Sequence, residues 1–546
     1  MIDEISLPKQ RRAIILGLLA APTLSIGGCA ALRSLPDPQI MGDVPVNVPT
    51  ILAPIRIVKA VGVPKRVIDV HAHFFNASDV PVAGYLAGPV AHSKSGVVRE
   101  LLKALAPIAD WLATRAPSAA QEFQELLQLI GDRSLRLLDK EAVVRQLDAA
   151  RDAYFEKLSP ELFDQLKKLP DFVRAFNEGQ RANRTAIAAM GRITSGQNLD
   201  LDERSLARAM KRENRQQTPT VQDLRASEPA PHVDGVLAFL GHMLSYRWMN
   251  LRAYQEAFST DAAAFGIDHV FGSLVDFDHW LTPSLRSAHA DQIKLHQLLS
   301  LLSGGYMRPL VAYNPWSDTL DNGKTLARAV DAVKLRGFVG VKIYPPNGFR
   351  PFGNAGFPSA VSGAPSGQKL DATLLKMWRQ CASLGVPVMA HSGHSMGSDD
   401  AREEMAGPAG WSLLLQQLQN ETLPRVNAGH FGGDDNTNQW TRDFASLMNT
   451  PPGTHLYADL GYWEGLRCAT TTALCAASER LKDSLTTFPV AARRVMFGTD
   501  WLMLSIERRW DRYAHDVLAV TSGMIKSDDL YAGNADRCFS EARPPV

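Results

Sequence analysis

Val67-Ile68-Asp69-Val70-His71-Ala72-His73-Phe74-Phe75-Asn76 is the stretch on which the reading of this 546-residue chain turns. A β-branched apolar run ends in Asp69-x-His71-x-His73. Side chains two apart in a strand point to the same side, so the carboxylate and both imidazoles are expected on one face. Two neutral imidazoles held together at a strand end make half of a divalent-metal site. A surface strand carries such a pair by chance often enough that the rest of the chain has to support it.

The support is a regular order of strand ends. From residue 268 onward, apolar runs at 269–277, 308–313, 337–344, 386–391, 425–430, 455–460 and 495–500 alternate with helical stretches. With 67–73 these make eight strand–helix units, which implies a parallel sheet closed into an α/β (β/α)8 TIM barrel. In that architecture the chemistry sits at the C-terminal ends of the strands. Those ends carry His71 and His73, Lys342, His391 with His394 beyond it, His430, Asp459 and Asp500.

Residues 95–265 interrupt this rhythm and read as a long helical insertion after strand 1. Val97-Val98-Leu101-Leu102-Leu105, Phe123-Leu126-Leu127-Leu129-Ile130 and Leu162-Phe163-Leu166 recur at helical spacing. Pro117, Gly131, Ser159 and Pro170 punctuate them, with Ser159 as a candidate cap. Residues 74–91 are expected as loop, 211–231 as a mobile loop and 235–258 as one long apolar helix. Trp280, Trp316, Tyr344, Trp463 and Trp501 follow strand ends and together could wall an apolar pocket, although each by itself reads first as packing.

The composition is 45% hydrophobic and 21% charged with a formal net charge of +1, so no basic excess points to nucleic acid. Five cysteines with no CxxC pair argue against a cysteine zinc knuckle. Residues 1–29 read as a signal segment: Lys9-Gln10-Arg11-Arg12, then an apolar run, then Ile26-Gly27-Gly28-Cys29. The last four resemble a bacterial lipobox with Cys29 as the lipidated residue, and the arginine pair resembles a twin-arginine export signal. This implies export and a lipid anchor on the periplasmic side of a bacterial membrane, the outer membrane by preference. Residues 30–65 form a Pro-rich tether with one short strand expected near 51–58. Residues 66–94 hold the first strand and its loop, and 266–546 hold the remainder of the barrel. Cys468 and Cys475 read equally as a disulfide or as two free thiols.

On these residues the chain resembles the amidohydrolase superfamily of metal-dependent barrels, and most closely its amidohydrolase-2 branch. That family's pattern is His-x-His on strand one, an optional Lys on strand four, His on strands five and six, and Asp on strand eight. His71, His73, Lys342, His391, His430 and Asp500 stand at those places. Phe497-Gly498-Thr499-Asp500-Trp501 and Gly533-Asn534-Ala535 add to the likeness, whereas the helical insertion departs from it.

The resemblance implies a divalent metal, zinc by preference, held as one ion or two by His71, His73, His391, His430 and Asp500. Asp500 and His430 are the implied catalytic pair: a proton carrier, and either a second ligand or an acid polarising the carbonyl. In binuclear relatives the strand-four lysine is an N6-carboxylysine, so Lys342 decides between one ion and two. Arg350, His394 and Tyr344 are candidates for substrate binding, and Asp69 for orienting the strand end. The implied activity is hydrolysis of an amide, lactone or ester-type bond of a small molecule. Non-oxidative decarboxylation of an aromatic or unsaturated acid is the alternative within the branch. A metal-binding surface lipoprotein without catalysis is the alternative outside it.

Overall fold

The computed structural model describes residues 48–539 apart from 90–95, 132–139, 190–205, 207–232, 261–263, 283, 356–364, 395–398, 435–438, 469–475 and 508–509. The signal segment with Cys29, the 211–231 loop and Cys475 lie outside the described residues. No described helix is long and apolar enough to cross a membrane.

Eight strands run in the order β1 (Ile68–Ala72), β2 (His269–Ser273), β3 (Met307–Ala312), β4 (Gly340–Ile343), β5 (Val388–Gly393), β6 (Val426–Gly432), β7 (Leu456–Asp459) and β8 (Val495–Met496). Every neighbouring pair is parallel. Their apolar runs are buried on both faces, which is what helices packed around a parallel sheet require. The two ends of the sheet meet: Val70 N donates to Phe497 O at 3.0 Å and Asp500 N to His71 O at 2.6 Å. β8 is shorter than the 495–500 expected. Beyond Met496 the chain leaves the ladder, and Asp500 adopts a left-handed φ of 54°.

The described residues within 95–265 are mostly helical, joined by short turns. α1 (Val82–Ala87) precedes them, so the expected 74–91 loop contains one short helix. Then come α2 (Gly96–Lys103), α3 (Ala109–Arg115), α4 (Ala119–Gly131), α5 (Lys140–Leu166), α6 (Pro170–Ala189), α7 (Val233–Met243) and α8 (Arg247–Gln255). After β2, α9 (His289–Leu302) packs against α4.

Three local expectations fail for identifiable reasons. Ser159 does not cap a helix; it lies inside α5, and its hydroxyl donates back to Phe155 O at 2.7 Å, just before Pro160. The helix expected over 235–258 breaks between α7 and α8. The break frees the first amides of α8 for the buried Glu122, which accepts from Arg247 N and Trp248 N, both at 2.9 Å. Residues 51–58 form turns and extended backbone without a strand. Their groups bond to helix and loop ends instead: Leu52 N to Leu302 O at 2.8 Å and Val58 N to Ser259 O at 2.7 Å.

The most consequential departure lies in β1. Ile68 and Val70 pack with Phe271, Leu310, Met389 and Met496 in the barrel interior. Asp69 therefore faces the helical layer, where Tyr254 of α8 donates to its carboxylate at 2.6 Å. The pairing of β1 with β2 is irregular between Asp69 and Ala72. Such an irregularity shifts side-chain alternation by one, and beyond it the rings of His71 and His73 turn inward. Asp69 and the two histidines do not share a face.

Candidate metal centre

The inward rings meet at the C-terminal end of the barrel. His71 Nε2 is 3.5 Å and His73 Nε2 3.4 Å from Asp500 Oδ1. Donor atoms of these three residues all lie within 4.8 Å of one another, the spacing of a common ligand shell. The His430 ring centroid is 4.5 Å from that of His71 and 4.4 Å from that of His391. Lys342 Nζ lies 3.5 Å from His71 Nε2.

Each imidazole is oriented by what its other nitrogen meets. His73 Nδ1 lies 2.8 Å from Ser273 O and His430 Nδ1 2.9 Å from Gly461 O. A carbonyl oxygen only accepts, so both Nδ1 atoms carry the proton and both Nε2 atoms offer a lone pair. His71 Nδ1 is 3.0 Å from Asp459 Oδ1, which fixes the same tautomer. His391 Nδ1 then donates to His430 Nε2 at 3.0 Å.

Burial keeps these rings neutral. It pushes His73 down to about 3 and His430 to about 4, and it holds His71 and His391 well below the usual imidazole range. The neighbouring Lys342 charge adds to the effect on all four. Burial also pulls the Lys342 ammonium down to about 8 against the attraction of Asp459 and Asp500. Neutral nitrogens facing a carboxylate are the donor set a divalent cation takes up.

Two carboxylates hold this end together. Asp459 accepts from His71 Nδ1, His430 N, Gly461 N and Asn427 Nδ2. Asp69 accepts from His71 N, Thr499 N, Thr499 Oγ1 and Tyr254 OH. Burial pushes Asp69 up to about 7 even against those hydrogen bonds. His430 and Asp500 sit on left-handed backbone, φ 70° and 54°. Non-glycine residues in that region are strained, and such strain clusters at functional sites.

A cavity of about 660 Å³ opens from the cluster. His73, His391, His430, Asp500, Tyr344 and His394 are among the residues that line it. The Tyr344 ring lies 4.9 Å from that of His391, and His394 sits between Glu403 and Glu404 at 3.5 and 3.3 Å. Arg350 is not among the lining residues; its backbone amide donates to Asn354. Trp280 lines the cavity, whereas Trp316, Trp463 and Trp501 do not and are core.

Residues 307–535, from β3 to the C-terminal helical turn, match the family model described as amidohydrolase, the amidohydrolase-2 family. The matched segment contains Lys342, His391, His430 and Asp500, while His71 and His73 lie before it. No curated protein matches the chain. Among solved structures, an uncharacterized TIM-barrel protein from Bordetella bronchiseptica is similar at 15% identity and a TM-score of 0.35, covering 58% of this chain and 87% of its own. An amidohydrolase from Burkholderia multivorans with bound zinc is similar at 10% identity and a TM-score of 0.31, covering 50% and 83%. A 2-pyrone-4,6-dicarboxylic acid hydrolase from Acinetobacter baumannii, described as probable and with citric acid bound, is similar at 11% and 0.28, covering 50% and 84%.

Three contributors to this centre had no assigned role in the sequence. Asp459 stood at a strand end but gave no sign that it would bind one histidine ring and a second histidine's amide. Tyr254 lies 185 residues from its partner Asp69, so no local pattern joins them. Tyr85 lines the cavity, and its buried hydroxyl has no hydrogen-bond partner among the described residues.

Proposed function

We propose that this chain is a metal-dependent hydrolase that cleaves an amide, lactone or ester-type bond of a small molecule. The observation that carries the reading is the convergence of His71, His73 and Asp500 beside a cavity that His73 and Asp500 line. His71, His73 and Asp500 would hold the ion, with His391 as a further nitrogen ligand, and zinc suits that donor set. When bound, the metal supplies the Lewis acidity that lowers the pKa of water to about 7.

The chain does the rest. Asp459, Ser273 O and Gly461 O hold three Nδ1 protons, so the Nε2 edges stay aimed inward. Asp500 takes a proton from water as the oxygen attacks the carbonyl carbon. It returns that proton to the leaving nitrogen or oxygen as the C–N or C–O bond breaks. Products are a carboxylate and an amine or alcohol. His430 holds its proton on Nδ1 against Gly461 O and accepts at Nε2 from His391 Nδ1, so it has no N–H to polarise a carbonyl. The Tyr85 hydroxyl is the neutral donor available to the carbonyl oxygen.

Among the described residues no Lys or Arg lines the cavity to seat a substrate carboxylate, which favours hydrolysis over decarboxylation. Lys342 serves as a carbamate bridging two ions or as an ammonium beside one. One metal equivalent per chain in active protein excludes the carbamate. The location is part of the proposal: Cys29 anchors an exported protein, and Cys29→Ala should abolish labelling by a palmitate analogue.

Asp500→Asn tests the central claim. We expect turnover to fall by about 10²–10⁴-fold, the range for a positioned acid–base group, with an unchanged circular dichroism spectrum. Undiminished activity would remove Asp500 from the mechanism.

A further inference from the structure

We infer that the substrate carries a long apolar acyl chain, housed in an apolar chamber that the helical insertion builds over the metal centre. This rests on the hydrolase reading and names its substrate class.

The cavity is lined by two chemically distinct sets of side chains. One is polar and includes His73, His430 and Asp500. The other is apolar and includes Leu102, Leu105, Leu112, Phe239, Leu240 and Met243. None of these six comes from a barrel strand: they belong to α2, α3 and α7 and the turn between α2 and α3. The insertion thus presents apolar side chains to a space of about 660 Å³ that is continuous with the reacting groups, within the roughly 300–1,000 Å³ of sites that engulf small ligands. Exposed apolar walls around an internal cavity are unfavourable in water and are relieved by an apolar ligand.

Charge fixes the form in which the chain arrives. Asp400 and Glu403 line the cavity beside His394, and no Lys or Arg does among the described residues. A fatty-acid anion meets no cationic side chain in this lining, whereas a neutral acyl amide or ester needs none. Hydrolysis adds water across the acyl bond: the hydroxyl goes to the carbonyl carbon and the proton to the leaving group. The product is an acyl carboxylate facing these acids, so the same charges favour its release.

Two measurements test the inference. The first is hydrolysis of p-nitrophenyl acetate, hexanoate and decanoate by the zinc-loaded full chain. We expect kcat/KM to rise about three- to fourfold per added methylene, the factor for moving one CH₂ out of water. The second is fluorescence titration of the metal-free chain with N-dansyl decylamine and N-dansyl ethylamine. The decyl probe should bind at least about 100-fold more tightly. Leu105→Trp and Leu240→Trp, which fill the chamber, should lower the decanoate-to-acetate ratio and weaken the decyl probe at least about tenfold. Phe239→Ser, which makes the wall polar instead, should do the same if the larger side chains prevent folding. Acetate turnover with a flat length profile and equal binding of the two probes overturns the chamber and leaves the hydrolase reading intact. Tight decyl binding without turnover of any ester supports the chamber and overturns the hydrolase reading.

Discussion

The strand ends of the barrel and the helical insertion solve opposite problems. At the strand ends, nearly every polar atom is aimed by another: Asp69 and Asp459 each accept several hydrogen bonds, and three histidine rings are held through Nδ1. The insertion meets the cavity with leucines, a phenylalanine and a methionine, which fix no direction but exclude water. The contrast separates chemistry from selectivity. The barrel end orients the reacting groups, and the insertion decides what reaches them.

A buried ionic cluster and one hydroxyl are among the contacts that join the two regions. Arg247 at the start of α8 donates to Asp79 Oδ1 at 2.6 Å and Oδ2 at 2.9 Å, to Glu122 Oε2 at 3.1 Å and to Pro117 O at 2.7 Å. It is fully buried, and so is Glu122. Tyr254 supplies the hydroxyl to Asp69. Breaking these joints shows how far the regions depend on each other.

The largest effect is expected from Arg247→Ala. It leaves two buried carboxylates without their cation, at a cost of about 3–5 kcal/mol, read from urea denaturation. A loss below about 1 kcal/mol would mean that the insertion is held by apolar contact alone.

Next is a pH dependence at the same joint. Burial lowers His296 of α9 to about 4 from its ordinary 6.5, with Asp79 opposing the shift, and Arg247 and His289 adding to it. The unfolded chain therefore binds the extra proton at a higher pH. Stability is complete above about 6.5 and is lost as pH falls toward 4. His296→Gln should remove up to about 3 kcal/mol of that acid sensitivity. Identical stability–pH curves for the two proteins would place the acid sensitivity elsewhere.

Smaller still, Tyr254→Phe takes one donor from Asp69 and should cost about 1–2 kcal/mol. The Asp69–His71 amide bond links that change to the metal centre, so kcat should fall while the decanoate-to-acetate preference stays. A changed preference with intact kcat would reverse the division of labour between the two regions.

How much of this was legible beforehand follows from distance along the chain. The alternation of apolar runs and helices announced the barrel, because a parallel strand buried on both faces must be continuously apolar. The strand-end residues Lys342, His391, His430 and Asp500 were visible, because a strand end is a local pattern. Asp459 as an organiser was not, since its role exists only where β1, β6 and β7 come together. The break between α7 and α8 was hidden for a similar reason: Glu122, which receives the freed amides, is 125 residues before Arg247.

The opening stretch shows where the division falls. By itself, Val67–Asn76 determined that a strand would carry two histidines two residues apart, because alternation is built into extended backbone. It did not determine which face they would occupy. The irregularity between Asp69 and Ala72 arises in pairing with β2, a strand about 200 residues away. That pairing sends Asp69 outward to Tyr254 and turns His71 and His73 inward to Asp500. Strand register is a property of two segments together, so only the closed barrel decided it.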